Sequence, residues 1–334
     1  MSRRAAFRLL LLTGGLAVVG YLVHEAGPAV VWDAFRSLGW RLGLIILFPT
    51  GAAIVIDTLA WRLAFLHPPP QGLSFLVGAR LAGEAVNLGT PTASVGGEPV
   101  KALLLRPRVP LREGLASVIV DKTTVVSAQV LVLAAGLSLS LGWLPLGSSL
   151  VIAMAGFLAV EVLCVAGFVV AQLGGAAGRG GRFLAKLRMA PTARGQAMLD
   201  GLDQTLRAIY AERRARLVGS GLFHFLSFAA GSLEIYLVAR FLGLPVSVGA
   251  AFVIGAFGSA VKFLSFMIPA SLGALEGANM VIFAAFGLGG AAGLTYTLVR
   301  RLREIAWIAA GFACLSVLSA RPAPSAEPDA RVRG

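Results

Sequence analysis

Seven stretches of this chain are long and nearly free of charge: Phe7–Val23, Leu42–Leu59, Leu115–Leu141, Ser149–Leu173, Leu217–Ala239, Val246–Ile268 and Ala291–Leu318. A helix needs roughly 20 such residues to cross a ~30 Å hydrocarbon core. Only 13% of the 334 residues are charged and 57% are hydrophobic, whereas about a quarter of a soluble domain is charged. The 41 glycines would weaken helices in water but allow close helix contact in a membrane. The expected fold class is therefore all-α, a polytopic helical membrane protein. Residues 1–320 are read as a single integral membrane domain and residues 321–334 as a disordered tail. The first run reads as a retained helix, because His24 and Glu25 follow it where a small-residue cleavage site would stand.

The formal net charge is +13. In a soluble protein that would suggest nucleic acid. Here the basic residues cluster in loops, where they set topology and attract anionic headgroups, so the expected partners are membrane lipids and not nucleic acid. Arg3, Arg4 and Arg8 place the N-terminus in the cytoplasm, and Arg321, Arg331 and Arg333 do the same for the C-terminus. The longest polar segment, about 174–216, holds nine Lys and Arg side chains, among them Arg179, Arg182, Arg207 and Arg216, and should also be cytoplasmic. Within it Leu199, Leu202, Leu206 and Ile209 share one helical face, which suits either a helix lying along the bilayer surface or an ordinary solvated loop helix. Trp40, Trp61, Trp143 and Trp307 fall mostly near helix ends, as interfacial anchors do. Cys164 and Cys314 lie inside apolar runs and read as small packing residues.

Two segments break the pattern. Residues 73–106 are apolar but interrupted by Gly83, Gly89, Pro91, Gly96, Gly97 and Pro99, and they carry Arg80, Glu84, Glu98 and Lys101. Their basic flanks predict a re-entrant pair of broken helices that dips in from the cytoplasm. Residues 246–287 are interrupted at Pro269, Gly273 and Gly277, and a cytoplasmic C-terminus requires them to enter and leave on the outer side. The two also resemble each other. Gly83-Glu84-Ala85-Val86-Asn87 precedes Pro91 and Glu98, while Gly258-Ser259-Ala260-Val261-Lys262 precedes Pro269 and Glu276. In each, Glu lies seven residues after Pro, with Ser and Gly between. Later, Gly114-Leu115 leads to Val120-Asp121-Lys122 as Gly293-Leu294 leads to Val299-Arg300-Arg301. Discontinuous helices in two halves of opposite topology are a transporter design, with the binding site where the halves meet.

An ionised side chain near the bilayer centre costs roughly 2.5–3.5 kcal/mol on insertion scales. Charges of this kind concentrate around the two interrupted segments, so they should face a polar cavity or one another; Asp121 with Arg300 or Arg301, and Glu276 with Lys262, are candidate pairs. The alternative is buried ion pairs, and kinks, that serve packing alone. Pro269 suits a first helical turn and Ser271 could cap it, presenting a helix N-terminus to an anionic headgroup; Pro99 would begin the matching helix. The candidate substrate-binding set is Glu84, Asn87, Pro91, Ser94, Gly96, Glu98, Lys101, Asp121, Lys122, Lys262, Pro269, Ser271, Gly273, Glu276, Arg300 and Arg301. His24, His67 and His224 receive no catalytic role.

Enzyme signatures are missing. His24-Glu25 leads to no second His, and neither a Walker loop nor a Gly-x-Ser-x-Gly elbow occurs. No catalytic residue, metal site or cofactor is expected. Asn87 through Lys101, the run Ile268 to Gly277, and Leu298 to Ile305 with its Arg-Arg-Leu-Arg-Glu core resemble the lysylphosphatidylglycerol synthase transmembrane-region family, also called flippase-like. The Leu298–Glu304 run is similar to that of members accompanying hopanoid biosynthesis. The resemblance covers about residues 7–318 and implies a lipid-translocating domain of the bacterial cytoplasmic membrane. Family synthases also carry a soluble aminoacyl-transfer domain, for which a chain ending at Gly334 leaves no room, so no such transfer is expected. Three functions remain open: a flippase for a polar-headed lipid, anionic or isoprenoid; a membrane enzyme or accessory subunit of glycolipid or hopanoid-type lipid biosynthesis; and a non-catalytic assembly protein with a tight partner.

Overall fold

The computed structural model describes His24, residues 28–89, 96–186, 192–265, Ile268 and residues 271–320. These form twelve helices: α1 (Pro28–Leu38), α2 (Arg41–Leu63), α3 (Leu73–Gly89), α4 (Gly97–Leu105), α5 (Leu111–Ser140), α6 (Ser149–Leu173), α7 (Ala176–Lys186), α8 (Ala193–Glu212), α9 (Arg214–Phe241), α10 (Val248–Leu264), α11 (Ala274–Ala285) and α12 (Gly290–Ser319). Five of them, α2, α5, α6, α9 and α12, are long and apolar enough to cross a membrane. The expected first span, Pro91, Ser94, Pro269 and the tail lie outside the described residues.

The helices face their solvent as hydrocarbon requires. On α6, Leu163 is 72% and Val170 69% exposed, while the buried residues are Val151, Met154, Glu161 and Gln172. Polar groups point inward and leucine and valine outward, because lipid satisfies apolar side chains and leaves polar ones without partners. Gln129 donates to Glu161 at 2.8 Å, and Gln172 donates to Thr123 at 2.9 Å. Helix α2 continues through Pro49, which cannot donate to the preceding turn. Trp307 Nε1 donates to Ile46 O at 2.9 Å beside that break. Trp307 thus braces a helix, and Trp61 is fully buried against Phe65 and donates to Ser117; neither is an interfacial anchor, whereas Trp40 is 80% exposed.

Each interrupted segment folds as two helices, α3 with α4 and α10 with α11. Helix α4 packs between α3 and α5, and α11 between α10 and α12. Each segment also leans on the other's long helix: α3 packs on α12, and α10 on α5. Glycines at matching positions allow these approaches. Gly83 abuts Lys101 as Gly258 abuts Asn279, and Gly114 abuts Ala102 as Gly293 abuts Asn279 and Met280. Gly311 lies against Leu81 and Ala85, and Gly136 against Ala256.

The basic segment folds into α7 and α8. The apolar face of α8 does not lie free for a bilayer: Leu202, Leu206 and Ile209 are buried in one cluster with Ala116, Val118 and Val120 of α5. Asp203 accepts from the Ala177 and Gly178 amides at 3.2 and 2.7 Å, closing the free N-terminus of α7. Tyr210 donates to Gln172 at 2.9 Å, and burial pushes its phenol above the ordinary value.

Candidate functional site

Between α2, α3, α10 and α12 lies a cavity of about 140 Å³. Its charged lining is Arg80 and Glu84 from α3, Lys262 from α10, and Arg303 and Glu304 from α12; Thr50 and Trp307 add polar edges. Both interrupted segments therefore contribute a charge. The Lys262 and Glu84 side chains are 44% and 40% exposed, which marks them as the most accessible charges of the wall, one of each sign.

Around this cavity the charges form three groups. The first is centred on Glu98. Its carboxylate lies 3.0 Å from Lys101 and 3.5 Å from Lys122, and it accepts from Asn87 at 3.1 Å. Lys101 also pairs with Glu84 at 3.2 Å. Asn87 Oδ1 accepts the Gly97 amide at 2.7 Å, so the side chain of α3 holds the first turn of α4, where Glu98 suits the helix dipole.

The second is centred on Glu276, which has no exposed surface. It accepts from Arg301 Nε at 2.9 Å and from the Gly273 amide at 2.8 Å. Gly273 has φ +80° and Ser271 φ +52°; the left-handed backbone is what lets the chain turn into α11 within two residues. The expected Ser271 cap does not form. The Ser271 hydroxyl donates to Ser265 O at 3.4 Å, and α11 begins later, at Ala274. Nor does Lys262 pair with Glu276. It stands 3.9 Å from Glu304, which also receives Arg300 at 3.2 Å and Arg301 at 3.0 Å. Neighbouring Arg303 pairs with Glu234 and donates to Thr50 at 2.9 Å.

The third group was not foreseen. Asp121 meets neither Arg300 nor Arg301. It accepts from Arg80 at 3.2 Å, and its other oxygen is 3.0 Å from His224 Nε2. His224 Nδ1 lies 2.8 Å from Asp57, and Arg80 donates to the Asp57 carbonyl at 3.0 Å. Asp57 is an acidic residue inside the apolar run Leu42–Leu59, the one signal that could have found it.

Of the expected set, Glu84, Asn87, Glu98, Lys101 and Lys122 come together, with Gly96 immediately before α4. Gly273, Glu276 and Arg301 come together where α11 meets α12, Ser271 bonds Ser265 instead, and Lys262 and Arg300 meet at Glu304. Glu98 and Glu276 do not line the cavity; Glu84 and Glu304 supply its carboxylates. Among the described residues no cluster of three His, Cys, Asp or Glu is arranged to hold a metal.

Outward leucines around an inward, charge-lined cavity define a polytopic helical membrane protein. The chain matches the lysylphosphatidylglycerol synthase TM region over residues 6–311 and belongs to that family. It is 24% identical over 313 residues to a UPF0104 membrane protein of Methanothermobacter thermautotrophicus, an overlap covering 88% of this chain and 90% of that relative. No solved structure matches it.

Proposed function

We propose that the protein moves a polar-headed, anionic lipid across the membrane, with the headgroup held in the cavity between α3 and α12 while the acyl tails stay in the bilayer. The observation that carries this reading is Lys262. Its half-exposed ammonium faces a cavity inside an apolar bundle, and its pair with Glu304 is the loosest there, at 3.9 Å. An anionic headgroup that replaces Glu304 as its partner exchanges one ion pair for another and avoids an unpaired charge. The matched glycine contacts and the mutual packing of α3 on α12 and α10 on α5 support two halves related as an inverted repeat, a design that binds substrate where the halves meet. In this reading the N-terminus, the α7–α8 segment and the C-terminus are cytoplasmic, and residues 1–320 act as one unit.

The test is reconstitution into liposomes carrying fluorescent lipids, with an impermeant quencher outside. Protein-dependent loss of the protected inner-leaflet signal is expected for an anionic lipid. Monodisperse protein that moves no member of a panel of anionic, zwitterionic and isoprenoid-linked lipids would overturn the reading.

A further inference from the structure

His224 is 1% exposed, and both of its ring nitrogens face carboxylates, Asp57 Oδ1 at 2.8 Å and Asp121 Oδ1 at 3.0 Å. A carboxylate only accepts, and a neutral imidazole donates from one nitrogen only. Both contacts are hydrogen bonds only if the cluster carries one extra proton, on the ring or on a carboxyl. With it, two carboxylates balance Arg80 and the imidazolium. Without it, one negative charge is left uncompensated in the interior. Of the other charges on helices packed against α9, Lys122 pairs with Glu98, Glu113 with His67, Lys262 with Glu304 and Arg303 with Glu234. Asp57 offers a route for the proton, its side chain being 27% exposed against 4% for Asp121. Arg80 belongs to both places, donating to Asp121 while it lines the cavity with Glu84.

We infer that Asp57, His224 and Asp121 form a single-proton site, coupled through Arg80 to the cavity, so that lipid movement is driven by protons. The site stands on its own geometry; the coupling rests on the transport reading above. One proton from water on the entry side becomes an imidazole N–H and later returns to water on the other side, with no other bond made or broken. An anion entering the cavity draws on Arg80, which leaves the two aspartates more dependent on the proton. Headgroup and proton therefore bind together, and by linkage each favours the other. Histidine is suited to such a cycle because a modest change of surroundings carries it between its two forms near neutral pH.

Two measurements separate the parts. In detergent-solubilised wild type, nitrogen-15 spectra of histidine should show one imidazole doubly protonated at neutral pH that loses one proton as the pH is raised, with Asp57→Asn altering that step. Spectra unchanged across the stable pH range, or a neutral ring whose signals Asp57→Asn leaves as they are, overturn the proton site. In liposomes of phosphatidylcholine and phosphatidylglycerol, voltage clamped at zero, an imposed pH gradient should speed flip of labelled phosphatidylglycerol severalfold in wild type. His224→Gln and Arg80→Gln, monodisperse in detergent, should abolish that gain. Flip that ignores the gradient overturns the coupling and leaves the flippase reading intact. Absence of flip for every lipid overturns the flippase reading and the coupling together, while the spectra still decide the proton site.

Discussion

Glu276 meets Arg301 at 2.9 Å, and the same carboxylate receives the Gly273 amide that opens α11. One buried side chain thus neutralises a cation of α12 and fixes the start of a helix beside a left-handed turn. Glu276→Ala removes both functions and should cost on the order of 3 kcal/mol, as breaking a buried pair does. Glu276→Gln keeps an acceptor for the amide and should cost less. Thermal unfolding in detergent gives the order; an Ala variant as stable as wild type would sink the assignment.

The glycine contacts make a second, graded prediction. A side-chain carbon at Gly136 would stand 2.5 Å from Ala256, and one at Gly311 would collide with Leu81, whereas Gly156 has open space around it. Leu at position 136 or 311 should lower stability by about 1–3 kcal/mol, the usual penalty of overpacking, and Gly156→Leu should be close to neutral. Equal effects at all three positions would mean the interhelix approaches are not as tight as described.

Lys262→Gln should slow flip of an anionic lipid about tenfold, since a hydrogen bond to a charged group contributes roughly 1.5–3 kcal/mol. Lys262→Arg should restore part of the rate. Flip assays on both variants, with a zwitterionic lipid as control, distinguish loss of headgroup contact from general damage. Wild-type rates in Lys262→Gln would remove this lysine from the site.

Topology is open to labelling. In a background with Cys164 and Cys314 replaced by serine, Arg182→Cys on α7 and Leu146→Cys in the turn between α5 and α6 should react with an impermeant thiol reagent from opposite sides of sealed vesicles. Labelling of both from one side would contradict the orientation set by the basic loops.

Asp203→Ala should free the Ala177 and Gly178 amides. A lost cap costs about 1 kcal/mol, so hydrogen exchange at the start of α7 should rise several-fold with the spans unaffected. Unchanged exchange there would show that the cap contributes nothing.

Hydrophobic run length made the spans legible: Ser149–Leu173 is α6 to the residue, and Leu115–Leu141 and Ala291–Leu318 fall within a few residues of α5 and α12. The two interrupted segments were legible because Gly and Pro punctuate them. Pairing was not. Which cation meets Asp121 depends on how α3, α5 and α9 rotate against one another, and no linear spacing fixes three such rotations at once. For this reason Arg80 and His224 went unassigned while Arg300 and Arg301 were proposed in their place. The face of α8 was read correctly as apolar, but a stripe of Leu and Ile does not declare whether it meets lipid or protein. Only the neighbouring Ala116, Val118 and Val120 decide that.

A single turn of α12 reaches four other helices: Arg301 to Glu276 of α11, Arg303 to Glu234 of α9 and Thr50 of α2, Glu304 to Lys262 of α10. These attachments radiate from one axis like spokes. Rotating that hub releases them in concert, so the compartment cannot unlatch on one flank while the rest stays fastened. On the proposed transport reading, a rearrangement that passes a headgroup is a collective event with α12 as its shaft.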